Sequence, residues 1–302
     1  MPSPKFPASG TILDSKIVPI EKFDALFGKI TQDRQIVDGY FLQSHPDEAR
    51  LLFVVNGAPY AAGCLRDAET SFLEIHEFFA AYAERPGSPL SFCLGDKRLL
   101  LGLMVLFRHQ PARQEMTDAA GAAEVLTEAA GRGVDAIVGI RSGDDWAVGI
   151  CGKGKLVAAY LPVGAESTPG IPPGEQLSQY LARADGEVAI AVFEETRVGP
   201  AEDVTLITPE TRGRLAEVFL RVAAKVEEAE PVLELTAPEP IPEPTPEPTP
   251  EPTPEPVLEL VEPSAPAPPP PPRPAVPAAP AEGLIEKTLT TGVPAPPAPP
   301  RP

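Results

Sequence analysis

Cysteine is scarce in this chain. Cys64, Cys93 and Cys151 are the only three, an odd and widely spaced set that makes neither a disulfide framework nor a zinc site. That scarcity points to a reducing compartment, the cytoplasm. Long apolar runs are missing too. The longest, Leu99–Phe107, falls far short of the roughly 20 residues that span a bilayer, so no membrane insertion is expected. The first ten residues carry no apolar signal region. Cations are outnumbered: 25 Lys and Arg stand against 43 Asp and Glu, for a net charge of −18. An acidic surface repels phosphate backbones and anionic lipids, so nucleic acid is not an expected partner. Of the three histidines, His45, His76 and His109, none has a second ligand at metal spacing. They read as a turn, a helix and a strand-end position, and no metal is expected.

What is present divides sharply near residue 230. Up to there the sequence mixes apolar, charged and glycine residues as globular domains do. From Pro231 onward lie about two-thirds of the 42 prolines. Leu, Ile, Val and Phe are sparse there, so the segment has too little apolar surface to offset the entropy of ordering. Ten glutamates against Arg273, Lys287 and Arg301 leave it at −7 and the rest of the chain at −11.

An internal repeat is the most informative feature of the first part. Asp38–Cys64 lies over Asp135–Leu161 without a gap, at an offset of 97 residues. Each copy reads as strand, polar turn, apolar strand, X-Gly turn and small-residue strand. The two turns are Asn56-Gly57 and Lys153-Gly154. Asn-Gly is the strongest short signal for a type I′ hairpin turn, which needs positive φ at both central residues. Helical spacing flanks each copy: Ile20–Ile30 and Phe72–Glu84 in the first, Asp118–Ala130 and Pro173–Arg183 in the second. Strands Leu90–Leu94 and Val188–Phe193 follow. The alternative to duplication is that any two α+β segments with hairpins align this way. A further helix begins at Thr208 as N-cap with Pro209 in the first helical position. Its stripe of Leu215, Val218, Phe219, Val222 and Val226 closes the core, or in part serves a homodimer.

The run Asp38-Gly39-Tyr40, the stretch Leu51–Ala62 and its second copy Trp146–Ala159 resemble the PATAN-type effector domains of bacterial signalling proteins, in two tandem copies covering about residues 17–207. The resemblance implies protein–protein interaction in signalling, motility or cell organisation, with no catalytic residues. The apolar run Leu99–Phe107 departs from the pattern, and no receiver domain accompanies it.

Catalytic and cofactor-binding chemistry is not nominated. Gly149–Lys155 spells the opening of a P-loop, but Leu156 stands where Ser or Thr would bind magnesium, and a strand follows instead of a helix. A hairpin turn explains its glycines. Asp144-Asp145 and Glu194-Glu195 are adjacent carboxylates, not two carboxyls facing one site from separate elements. Ser142 lacks a nucleophile elbow. Cys93 beside a core strand reads as packing.

In the tail, Glu-Pro-Thr-Pro recurs from Glu243 to Pro256 and favours an extended polyproline spacer. Pro268–Pro274 resembles ligands of aromatic grooves. Three apolar islands interrupt the spacer: Leu233 and Leu235 in Val-Leu-Glu-Leu, Leu258 and Leu260 in its repeat, and Leu284, Ile285 and Leu289 near the end. They read either as docking peptides that order on a partner or as accidents of composition.

The expected architecture is therefore α+β, with mainly antiparallel sheets. It comprises a flexible N-terminus (1–16), two similar units (17–112 and 113–207), a C-terminal helix (208–230) and a disordered tail (231–302). The expected role is a non-catalytic adaptor for a protein partner. The alternatives are a small-molecule-binding regulatory domain with a pocket between the units, and a roadblock-like or profilin-like scaffold, which needs one continuous central sheet.

Overall fold

The computed structural model describes residues 4–32, 37–165 and 170–229. In chain order the first half holds β1 (Gly10–Lys16), α1 (Phe23–Gln32), β2 (Gly39–Ser44), β3 (Glu48–Val55), β4 (Ala58–Arg66), β5 (Glu69–Leu73), α2 (Ile75–Glu84), β6 (Leu90–Leu94) and α3 (Lys97–Arg108). The second holds β7 (Arg113–Thr117), α4 (Ala119–Gly131), β8 (Ala136–Ser142), β9 (Asp145–Gly152), β10 (Lys155–Tyr160), α5 (Pro173–Ala182), β11 (Val188–Glu194) and α6 (Leu215–Ala229).

Two antiparallel sheets result, so the chain is α+β. One has six strands in the order β1-β6-β2-β3-β4-β5, the other five in the order β10-β9-β8-β11-β7. Read from β7, the second order repeats the first, with β7 matching β1 and only β5 unmatched. Strands β3 and β9 lie 97 residues apart at both ends. Both hairpins turn through positive φ: 53° and 69° at Asn56-Gly57, 52° and 76° at Lys153-Gly154. A Lys in that region bears steric strain that Gly avoids.

Helices cover the sheets in layers. One face of the first sheet carries α1, α2 and α6 over Phe41, Leu52 and Phe92. Phe79 of α2 stacks on Phe219 of α6, with ring centroids 5.4 Å apart. The second sheet carries α4 and α5 over Val138, Ile140 and Ile190. Between the sheets runs α3, with Leu99, Leu100, Leu103, Val105 and Leu106 buried. Lys97, Arg98, Leu101 and Arg108 are exposed while positions 99, 100 and 102–107 are buried, and each fully buried leucine is worth about 1.5–3 kcal/mol. Coverage of both faces also explains why β3 is buried at seven consecutive positions. Gly63 on β4 admits α3: a Cβ there would stand 2.6 Å from the Phe107 ring.

Several expectations are corrected. Residues 4–16 belong to the body: Phe6 is buried and β1 pairs with β6. Leu99–Phe107 is the heart of α3, and His109 ends that helix, not a strand. Residues 69–73 form β5, so α2 begins at Ile75 rather than Phe72. The last helix starts at Leu215, because Thr208 and Thr211 close a separate turn before it. The two sheets are separate, so a single continuous sheet is not present among the described residues. The disordered-tail expectation for 231–302 lies outside the described residues.

Candidate functional site

The site is built where α3 ends. Thr70 of β5 donates its hydroxyl to the Leu106 carbonyl at 2.5 Å. This satisfies one of the carbonyls that a helix C-terminus leaves unpaired. Arg108 lies over the Phe72 ring, 4.6 Å from its centroid, and donates to the Gly199 carbonyl at 2.6 Å. The His109 ring nitrogen Nε2 lies 3.0 Å from the Arg197 carbonyl oxygen. The helix end is thus held between β5 and the strand-exit segment of the second sheet.

Beyond it the two sheets are no longer filled by α3, and a cleft of about 340 Å³ opens. Its second-sheet wall is made of Trp146, Phe193 and the small residues Gly139, Ala189 and Ala191. Arg141 lies over the Trp146 ring at 5.8 Å, and Met116, on β7 opposite Ala189, is 56% exposed. Glu69 and Thr70 of β5 form the opposite wall. Among the described residues β5 pairs with β4 alone and β7 with β11 alone. Both edges beside the cleft therefore keep a row of backbone groups unpaired by strands, the template for adding another strand.

On its outer side β5 borders a second hollow, a groove of about 640 Å³ walled by α2 and the last turns of α6. Strand geometry sends alternate side chains to opposite faces. Thr70 and Phe72 turn toward α3, while Glu69, Ser71 and Leu73 turn toward the groove.

A polar cluster lies at the groove's inner end. The Glu48 carboxylate is buried. It accepts from Arg50 at 2.6 Å, from Arg66 at 2.7 Å, and from Arg85. Burial works to raise its pKa, but the Arg66 hydrogen bond and the charges of Arg50 and Arg85 leave it below its ordinary 4.5. Gln43, across the ladder from Arg50, is buried with its amide unpaired among the described residues, as is Arg50 Nη1.

The remaining sequence candidates do not converge on this site. Asn56-Gly57 and Lys153-Gly154 are hairpin turns in separate sheets. Asp145 pairs with Lys5 at 3.5 Å, and Glu194 pairs with Arg132 at 2.6 Å. Burial pushes all three thiols up, Cys151 to about 11, so they stay protonated near neutrality. Among the described residues no group of three or more His, Cys, Asp or Glu is placed to hold a metal. No helix there is long and apolar enough to cross a membrane. Leu233, Leu235, Leu258, Leu260, Leu284, Ile285 and Leu289 lie outside the described residues. The cleft itself escaped sequence reading, since its walls come from four separated stretches of both units.

No protein-family model matches the chain, and no curated protein matches it. Among solved structures it is similar to a DNA polymerase III subunit beta DnaN sliding clamp from Bartonella birtlesii LL-WM9. The identity is 12% over 64% of this chain, with a TM-score of 0.16. The match spans 65% of the clamp chain. At that score the likeness carries no argument about fold or function.

Proposed function

We propose that the protein is a non-catalytic interaction module that takes up an extended peptide along the free edge of β5. The observation that carries this reading is the position of β5. It is a terminal strand with a cleft on one face and a groove on the other. A peptide added there gains main-chain hydrogen bonds from the edge and side-chain pockets on both faces, the usual mode of strand addition. The likeness of the two hairpin runs to PATAN-type effector domains supports a setting in bacterial signalling. Three free, buried cysteines support a cytoplasmic one.

A second reading is a small-molecule regulatory domain using the cleft alone. The cleft volume of about 340 Å³ favours it, since ligand pockets begin near roughly 300 Å³. One experiment separates the two. Displayed ten-residue peptides are selected on the full chain and counter-selected on Ala189→Phe, which fills the cleft. Peptides of alternating apolar pattern that bind only the wild type support strand addition. Failure to enrich any peptide, together with a small compound that raises Tm in the wild type but not in the variant, rejects strand addition in favour of the second reading.

A further inference from the structure

We infer that the segment occupying the edge of β5 is the chain's own Val232–Leu235, laid down as an added strand of the six-stranded sheet. This rests on the reading above that the edge receives an extended segment.

The first ground is delivery. The last turns of α6 form one wall of the outer groove through Ala223, Val226 and Glu227, opposite Glu69, Ser71 and Leu73 of β5. Val226 is 45% exposed there, an apolar side chain turned to the groove with no cover among the described residues. The helix ends at Ala229, and Val232 follows three residues later, a span of at most about 10 Å. The chain therefore departs from the helix that walls the same groove as β5.

The second ground is pattern. Val232-Leu233-Glu234-Leu235 lies between Pro231 and Pro238. Proline lacks the N–H a ladder needs and is confined to strand ends and edges, so the prolines delimit a strand about as short as β5. In an added strand Leu233 and Leu235 share one face, and Val232 and Glu234 the other. The cleft face offers Leu106, Trp146 and Phe193 to the two leucines. The groove face offers Val226 to Val232 and the guanidinium of Arg66 to Glu234. Arg66 is the most exposed of the three arginines on Glu48, at 60%, and Arg50 beside it keeps Nη1 unpaired among the described residues. Arg66 is thus the exposed cation that Glu234 would meet, in a groove otherwise lined by Asp67, Glu69, Glu77, Glu84 and Glu227.

The third ground is recurrence. The same four residues, again preceded by proline, return as Val257–Leu260. Loss of the first copy leaves a second on the same tether, so a decisive variant alters both.

The test is hydrogen exchange on the full chain and on its L233D/L235D/L258D/L260D variant, read at the amides of residues 69–73. The expected result is exchange roughly tenfold slower in the wild type, with protection returned to the variant by a synthetic Pro231–Pro238 peptide. Equal exchange in the two proteins, with no effect of that peptide, overturns the inference. If a peptide selected for binding the full chain then protects residues 69–73, the strand-addition reading survives and only the identity of the segment is wrong. If no peptide protects them, both fall. All four substitutions lie outside the described body, and an unchanged Tm of the variant confirms that the body is intact.

Discussion

Phe6 stacks on Trp146, with ring centroids 5.6 Å apart and planes at 27°. The same phenyl ring lies against Tyr40 of the first sheet and Phe107 of α3. Lys5 extends the junction by exchanging backbone bonds with Asp144 and Trp146, and the Tyr40 hydroxyl donates to the Pro7 carbonyl at 2.9 Å. The N-terminal segment thus pins the second sheet to the first, next to the cleft. Phe6→Ala is expected to lower unfolding free energy by about 3–5 kcal/mol and to shift Trp146 emission to the red. Trp146 is the chain's single tryptophan, so denaturant unfolding followed by fluorescence reports both effects.

Glu48 holds three arginines together, and removing one member of a buried ion pair leaves a desolvated charge behind. Glu48→Gln is expected to destabilise by about 3 kcal/mol near neutral pH. Its pKa is depressed in the folded state, so its contribution is fully present above the unfolded value near 4.5 and is lost as pH falls through the lower folded value. The stability gap between wild type and variant should therefore shrink on acidification below about pH 4.5. A gap that widens there contradicts the arrangement.

Gly63 allows Phe107 to lie on β4. Gly63→Ala puts a Cβ 2.6 Å from that ring, and overpacking of this kind costs about 1–3 kcal/mol. Chemical denaturation of Gly63→Ala alone and combined with Phe107→Leu measures it. The second change should return part of the loss if the clash is with that ring.

Asp203 accepts from the His76 N–H at 2.9 Å and from Ile75 at 3.3 Å, capping α2 from a segment far along the chain. Asp203→Ala is expected to reduce stability by about 0.5–2 kcal/mol. Faster exchange at the first turn of α2, with little change in α4, locates the effect.

Much of the fold is legible in the sequence where local chemistry is strong. The Asn56-Gly57 turn and the paired hairpin runs reveal the strand pattern of both units before any packing is known. Legibility fails where a turn carries no signal: β4 enters β5 through Asp67 and Ala68, both at positive φ, without the glycine that marks such turns. The sequence pattern therefore draws Phe72 into the following helix and hides the strand that bears the candidate site. Helix α3 hid for the opposite reason. Its apolar run is continuous from Leu99 to Phe107, and Leu101, which is exposed, blurs the polar side marked by Lys97, Arg98 and Arg108. Phe6 is a lone aromatic in a proline-containing stretch, and only tertiary contact reveals its role.

The central claim is that β5 receives an extended segment at its free edge. Backbone resonance mapping of the full chain titrated with a selected alternating-apolar peptide tests it most directly. With the edge vacated by L233D/L235D/L258D/L260D, the account predicts shifts concentrated at residues 69–73 and around Trp146, and their loss when Ala189→Phe is added. Saturable binding whose shifts fall elsewhere, with residues 69–73 unmoved, would contradict it.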